Sequence, residues 1–257
     1  MSTRRVTLVT GATYGIGRGI LDRLMQDEGV AFTVARQESH LTELVTVYPE
    51  VGTFAADLTE PDAAAAAVEA CIERFGRLDA VINNVGGGSG SGWDAPDEEW
   101  RQMLELNVLC AVRMCRAAVP YLKEGSEPRI VNVATELVFQ PGSEWVAYTA
   151  AKSALMAFTK SLSWALADQG ILVNALCPGS IETPLTRGYF EQMASDRGQT
   201  VAEAIEYFCT NVRRIPVGRL GRIEEIAESA AYLASARCAF MTGAVLRCDG
   251  GSSPSPL

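Results

Sequence analysis

Short apolar runs alternate along this chain with longer stretches whose apolar residues recur every three or four positions. The runs at 6–10, 31–35, 52–55, 78–83, 129–134, 172–177 and 244–248 read as strands. The periodic stretches at 16–27, 62–75, 97–122, 147–168 and 223–234 read as helices. Such alternation is the pattern of βα units, so the expectation is an α/β fold with a mainly parallel sheet. No proline- or serine-rich linker interrupts the series and no internal repeat appears, which predicts one domain over 1–257. Two stretches break the rhythm, the glycine-rich 86–92 and the longer 180–221. Both are candidate loops over a site, the second as a substrate lid.

Composition narrows the function without choosing it. The chain has 257 residues, 48% of them hydrophobic, enough for a substantial core. Its formal charge of −9 and the lack of a long basic run argue against a nucleic-acid partner. Seven cysteines lie scattered without CxxC spacing, which indicates neither a disulfide framework nor a zinc site. The opening MSTRRVTLVTG lacks the charged-then-apolar pattern of a secretory signal, and no run reaches the length of a membrane span; a cytoplasmic protein without a membrane partner is expected. A single histidine, His40, excludes a Ser-His-Asp triad or a multi-histidine metal centre by count, and no metal is expected.

Candidate chemistry lies in two places. After the first strand come Thr10, Gly11, Ala12, Thr13, Tyr14, Gly15, Ile16 and Gly17, a Gly-x-x-x-Gly-x-Gly spacing at the first βα turn. Glycines there allow a tight turn and let backbone N–H groups and a helix N-terminus face a pyrophosphate. By itself the cluster is a weak signal, since a plain strand-to-helix connection can carry the same glycines, and its place at the first βα turn strengthens it. Tyr148 and Lys152, in YTAAK, stand one helical turn apart, so an ammonium can lie near a phenol and favour its ionisation. A surface tyrosine beside a solvated lysine would give the same spacing.

In order along the chain, TGATYGIG, Asn83-Asn84-Val85-Gly86, Asn107, IVNVAT, Tyr148-x-x-x-Lys152, Asn174-Ala-Leu-Cys-Pro-Gly179 and Asp249-Gly-Gly251 resemble the motifs of the short-chain dehydrogenase/reductase family in its common single-domain form. The likeness includes 3-oxoacyl-carrier-protein reductase-like members. It implies a doubly wound Rossmann-type domain with about seven strands, and a cofactor site formed by Gly11, Thr13, Tyr14, Gly15, Ile16, Gly17, Asp57, Leu58, Asn84, Gly86, Pro178, Gly179, Ser180, Ile181 and Thr183 together with Tyr148 and Lys152. The resemblance makes Tyr148 the general acid or base, Lys152 the group that binds the nicotinamide ribose and lowers the tyrosine pKa, and Asn107 the holder of a relay water. Two positions depart from the family pattern. Val85 replaces an alanine, and Thr135 stands where the catalytic serine is usual, thirteen residues before Tyr148 (148 − 13 = 135). Threonine keeps the hydroxyl but adds a methyl that stiffens χ1.

The tip of the second strand bears on cofactor choice. By resemblance, an acidic residue there holds the ribose of NAD; here Arg36 follows Ala35, so NADP(H) is favoured and NAD(H) stays possible. Tyr14 takes the place of a basic residue found in some NADP-dependent members. Glu136, Gln140 and Trp145, between Thr135 and Tyr148, are substrate-pocket candidates, and Glu136 could bind a cation or hydroxyl or face solvent. In the lid, Leu185, Tyr189, Phe190 and Met193 recur at helical spacing, with Tyr189 a substrate candidate. The expected activity is NADP(H)-dependent reduction of a small-molecule carbonyl to a secondary alcohol, or its reverse. NAD-dependent alcohol oxidation, a non-redox dehydratase or epimerase, and a non-catalytic nucleotide-binding member are the alternatives. MTGAVLRCDGG resembles a family subunit interface, which implies a homotetramer or homodimer.

Overall fold

In a computed structural model, residues 4–254 are described apart from Glu28 and Ser89. Seven strands, β1 Val6–Thr10, β2 Val30–Ala35, β3 Gly52–Ala55, β4 Ala80–Asn83, β5 Arg129–Val133, β6 Leu172–Pro178 and β7 Val245–Cys248, form one parallel sheet in the order β3-β2-β1-β4-β5-β6-β7. The fully buried runs of β1, β4 and β5 explain their continuous apolar character, since helices cover both faces.

The helices are α1 Gly15–Gln26, α2 Glu38–Val47, α3 Ala63–Phe75, α4 Asp97–Leu104, α5 Cys110–Leu122, α6 Val146–Leu166, α7 Pro184–Arg197, α8 Val201–Tyr207 and α9 Ile223–Ala234. One core joins the sheet to α3, α5 and α6 through Val68, Cys71, Met114, Ala118 and Leu166. The other joins it to α1, α2 and α9 through Ile20, Leu21, Leu44, Ile226 and Ala230. This is the doubly wound Rossmann-type arrangement. From β1 the chain builds outward to β2 and β3, then returns to lay β4 on the other side of β1. A crevice therefore opens at the carboxyl ends of β1 and β4, where ligands of such sheets bind.

Three elements differ from the sequence expectation. The helix expected over 97–122 is α4 and α5 joined by a π-helical turn, Glu105–Leu109, which carries Asn107. Helix α2 was not expected; only Leu41 and Leu44 of its ten residues are buried, too few to mark a period. The 180–221 stretch is largely helical rather than a loop. It holds α7, α8 and a π-helical turn, Phe208–Val212, closed over a small core of Phe190, Phe208, Cys209, Ile215 and Leu220. Within 86–92, Ser89 lies outside the described residues.

Candidate active site

The turn from β1 to α1 is shaped for close approach. Gly11 has φ +69° and its N–H donates to Val34 O at 2.9 Å. A Cβ on Gly17 would lie 2.3 Å from Gly11 O and 2.4 Å from Asn84 Nδ2, so only glycine lets helix and strand meet there. Asn84 ties β4 to this turn by donating to Thr10 O at 2.9 Å, while Thr10 Oγ1 accepts from the N–H groups of Asn84 and Val85. On the outer side, Gly15 has φ +58° and open space where a Cβ would be. Tyr14 precedes α1 without capping it by its side chain, and the first turn has no acidic residue. The N-terminal N–H groups and dipole of α1 thus face the crevice uncompensated, which fits a pyrophosphate. Thr13 is half-buried and Tyr14 exposed at the rim, whereas Ile16 packs against the core.

At the far end of the crevice, exposed Arg36 reaches Asp57 at 4.0 Å. Asp57 is held below the usual carboxylate range chiefly by the Thr59 N–H, with the Thr59 hydroxyl and Arg36 assisting against partial burial. Its Oδ1 accepts from Thr59 N at 3.0 Å and Thr59 Oγ1 at 2.8 Å, so Asp57 also shapes its own turn. Leu58 turns its side chain into the core. The sole histidine, His40, lies exposed on α2.

Polar groups converge at the centre. Tyr148 lies in the first turn of α6, with its hydroxyl close to that of Thr135, which follows β5. Trp145, held at φ +61°, packs edge-on against the Tyr148 ring at 6.1 Å, and the backbone of Gly88 covers it so closely that a Cβ there would come within 2.7 Å. These neighbours shield the ring, and desolvation pushes the phenol up to about 12 against the opposing influence of the Thr135 hydroxyl.

Lys152, one turn on, is buried and donates from Nζ to Val133 O at 2.8 Å. It lies 6.0 Å from the Tyr148 ring centroid, and burial lowers it to about 8. Nζ is directed at a carbonyl, and desolvation dominates the shift of the phenol, upward where the family resemblance implies a lowering.

Asn107 is buried in its π-helical turn. It accepts from Gly87 N at 3.1 Å and donates to Gly87 O at 2.8 Å and Met103 O at 3.0 Å. A Cβ on Gly86 would lie 2.8 Å from both Asn107 Oδ1 and Lys152 Nζ, so these side chains approach each other across a glycine.

The β6 exit adds the fourth wall. The Gly179 N–H donates to Cys248 O at 2.9 Å, and Ile181 is buried, bridged to Gly221. Thr183 caps α7, accepting from Thr186 N at 3.2 Å, a structural reason for threonine there. Tyr189 is half-exposed on α7 against Phe190 and Phe208, with Glu144 and Arg213 near its hydroxyl. Glu136 does not face solvent. It is buried with its carboxyl on Ser180, Gln140 and Ser252, and half-buried Gln140 shares that cluster.

Sequence reasoning missed the Val133 carbonyl, Gly88, Ser252 and the buried Cys177, whose thiol burial pushes up to about 12 beside Lys152. A backbone oxygen leaves no sequence signal, and Ser252 acquires its place only when β7 docks. Gly88 had a signal in its glycine run.

A model of the family described as short chain dehydrogenase matches residues 5–194. A protein named as the ketoacyl reductase of monensin polyketide synthase, from Streptomyces virginiae, is 35% identical, with 97% of each chain covered. Among solved structures, L-sorbose reductase from Gluconobacter frateurii, complexed with NADPH and L-sorbose, aligns with TM-score 0.93 and 29% identity over 98% of this chain and 97% of that one. A variant of actinorhodin polyketide ketoreductase with NADPH aligns with TM-score 0.88 and 33% identity over 99% and 100%. With the sheet order, the glycine turn and the Tyr148 centre in place, these likenesses establish that the chain belongs to the short-chain dehydrogenase/reductase family.

Proposed function

We propose that this enzyme reduces a small-molecule ketone to a secondary alcohol, or runs the reverse reaction, with NADP(H). The observation that carries the reading is the neighbouring Tyr148 and Thr135 hydroxyls at the crevice wall, with Lys152 and Asn107 approaching each other across Gly86 behind them. A bound nicotinamide supplies or accepts the hydride at the carbon. Tyr148 gives its proton to the carbonyl oxygen, and its raised pKa keeps it protonated for that step at neutral pH. Thr135 donates a second hydrogen bond to the same oxygen, polarising it as charge develops. Lys152, held by Val133, and Asn107, fixed on both sides of Gly87, lead the proton supply back towards Tyr148.

Arg36 supports the phosphorylated cofactor. It is exposed and only loosely paired with Asp57, so it can form charge-assisted bonds to a 2′-phosphate. The NADPH in the two solved relatives supports the same choice. Those relatives act on a sugar and are named for polyketide chemistry, which supports the ketone class. The family resemblance supports a homotetramer, and exposed Val245 on the edge strand β7, with fully exposed Phe240 in the segment preceding it, is consistent with a subunit contact there. The test follows loss of NADPH and NADH absorbance against ketones, sugars and β-ketoacyl thioesters, with Tyr148→Phe as control. Turnover that the control abolishes is expected; turnover unchanged in Tyr148→Phe would refute the assignment.

A further inference from the structure

Glu136 follows Thr135 directly and is buried, yet the hydride chemistry gives it no task. Its Oε1 accepts from Ser180 Oγ at 3.2 Å. Its Oε2 accepts from Gln140 Nε2 at 3.1 Å and from the Ser252 hydroxyl, and Gln140 also donates to Ser252 Oγ at 3.3 Å. Ser180 stands at the exit of β6 and Ser252 at the exit of β7, so one carboxylate joins the chain segments leaving three adjacent strands. The backbone is already close there, since a Cβ on Gly179 would lie 2.6 Å from Asp249 Cα. Thr135 opens this junction. It is the extended residue that caps the 3₁₀ turn Glu136–Val138, accepting from Leu137 N at 3.4 Å.

We infer that Glu136 is a positioning residue, a clasp that pins the post-β6 and post-β7 segments to the turn carrying Thr135 and so fixes the Thr135 hydroxyl against Tyr148. The inference rests on the reductase reading above. An ionised carboxylate only accepts, and here it meets three donors. Protonation turns one oxygen into a donor, and the cluster must then rearrange. The charged groups bearing on the carboxyl are Arg213, from the segment after α8, which favours its ionised form, and Asp249, at the exit of β7, which opposes it. Burial outweighs Arg213 and the hydrogen bonds and pushes Glu136 up to about 7, so the clasp is fully formed only above neutrality.

The experiment compares the unsubstituted protein with Glu136→Gln and Ser252→Ala, measuring kcat and KM against pH, NADPH binding by fluorescence, and Tm. Both variants are expected to lose between about ten- and a hundredfold in kcat, the size of effect that small misplacement of a reacting group produces. NADPH affinity should stay within about twofold, and the acid limb of the kcat profile near pH 7 should vanish in Glu136→Gln. Because that variant removes a buried charge, its Tm at pH 8 should be equal or higher, whereas a merely structural bond would lower Tm and activity together. A kcat within twofold of the parent, an acid limb that persists, or a kcat loss that follows Tm overturns the clasp and leaves the reductase reading intact. Lack of carbonyl turnover by the unsubstituted protein overturns the reductase reading and the clasp's catalytic role with it.

Discussion

The two ends of the crevice use similar groups in opposite surroundings. At the Tyr148 end, Lys152 is held by a carbonyl and Glu136 by hydroxyls and an amide, and burial shifts Tyr148, Lys152 and Glu136 towards their neutral forms. At the far end, exposed Arg36 and half-buried Asp57 lie 4.0 Å apart, and Asp57 is held in its charged form chiefly by local hydrogen bonds. Desolvation makes the first cluster specific in geometry and costly to disturb. Solvent makes the second adaptable, since exposed ion pairs contribute little and can be exchanged for a ligand's charge. Chemistry belongs in the first environment and recognition of a charged cofactor in the second.

The contrast breaks most visibly at Tyr148. Tyr148→Phe removes the proton donor and leaves the ring, so kcat should fall by about 10² to 10⁴-fold while NADPH binding and Tm hold. If NADPH affinity falls in step with kcat, the residue belongs to cofactor binding instead.

Next in size is Thr135. Its alanine variant should lose roughly 10²-fold in kcat, as for removal of one donor to a developing oxyanion. Thr135→Ser should stay within a few-fold of the parent. Full activity in Thr135→Ala would show that another group polarises the substrate.

At the solvent end, Arg36→Ala should raise KM for NADPH about tenfold, equivalent to roughly 1.4 kcal/mol. NADH kinetics and kcat should not move. A similar rise with both cofactors would mean that Arg36 supports the fold of the crevice rather than the phosphate.

A further effect separates the ends by stability. With Lys152 lowered to about 8 from 10.5, the folded chain binds fewer protons than the unfolded chain between those pH values, so this residue adds stability as pH rises through that window. Below pH 8 its burial opposes folding. In Lys152→Met that contribution is gone, and the denaturant-derived stability of the parent relative to the variant should increase from pH 8 to 10 by about 1–3 kcal/mol. A difference independent of pH would place the ammonium in solvent.

Much of this was legible from the residues, but unevenly. The strands were readable because their apolar runs are continuous, and β1, β3 and the core of β5 lie where the pattern put them. Helix α2 was invisible because its burial rests on two leucines; in the lid the helical spacing of α7 showed but α8 did not, because their small core draws on both α7 and the turn after α8. In the site, Tyr148 and Lys152 were paired by their spacing, and Asn107 was picked out by the family resemblance. The direction of the lysine and the burial of Glu136 were not, since each depends on partners far away in the chain.

The sequence alone thus determined the order of elements, the family, the glycines that admit a close turn, and a phenol one helical turn from an amine. These are local properties: periodicity, the absence of a Cβ and a fixed helical repeat. Only the tertiary structure decided which groups lose water. Packing turned the Lys152 ammonium to the Val133 carbonyl, raised Tyr148 instead of lowering it, and gathered Ser180 and Ser252 around Glu136. Desolvation depends on every neighbouring chain segment at once, and no stretch of sequence contains its own surroundings.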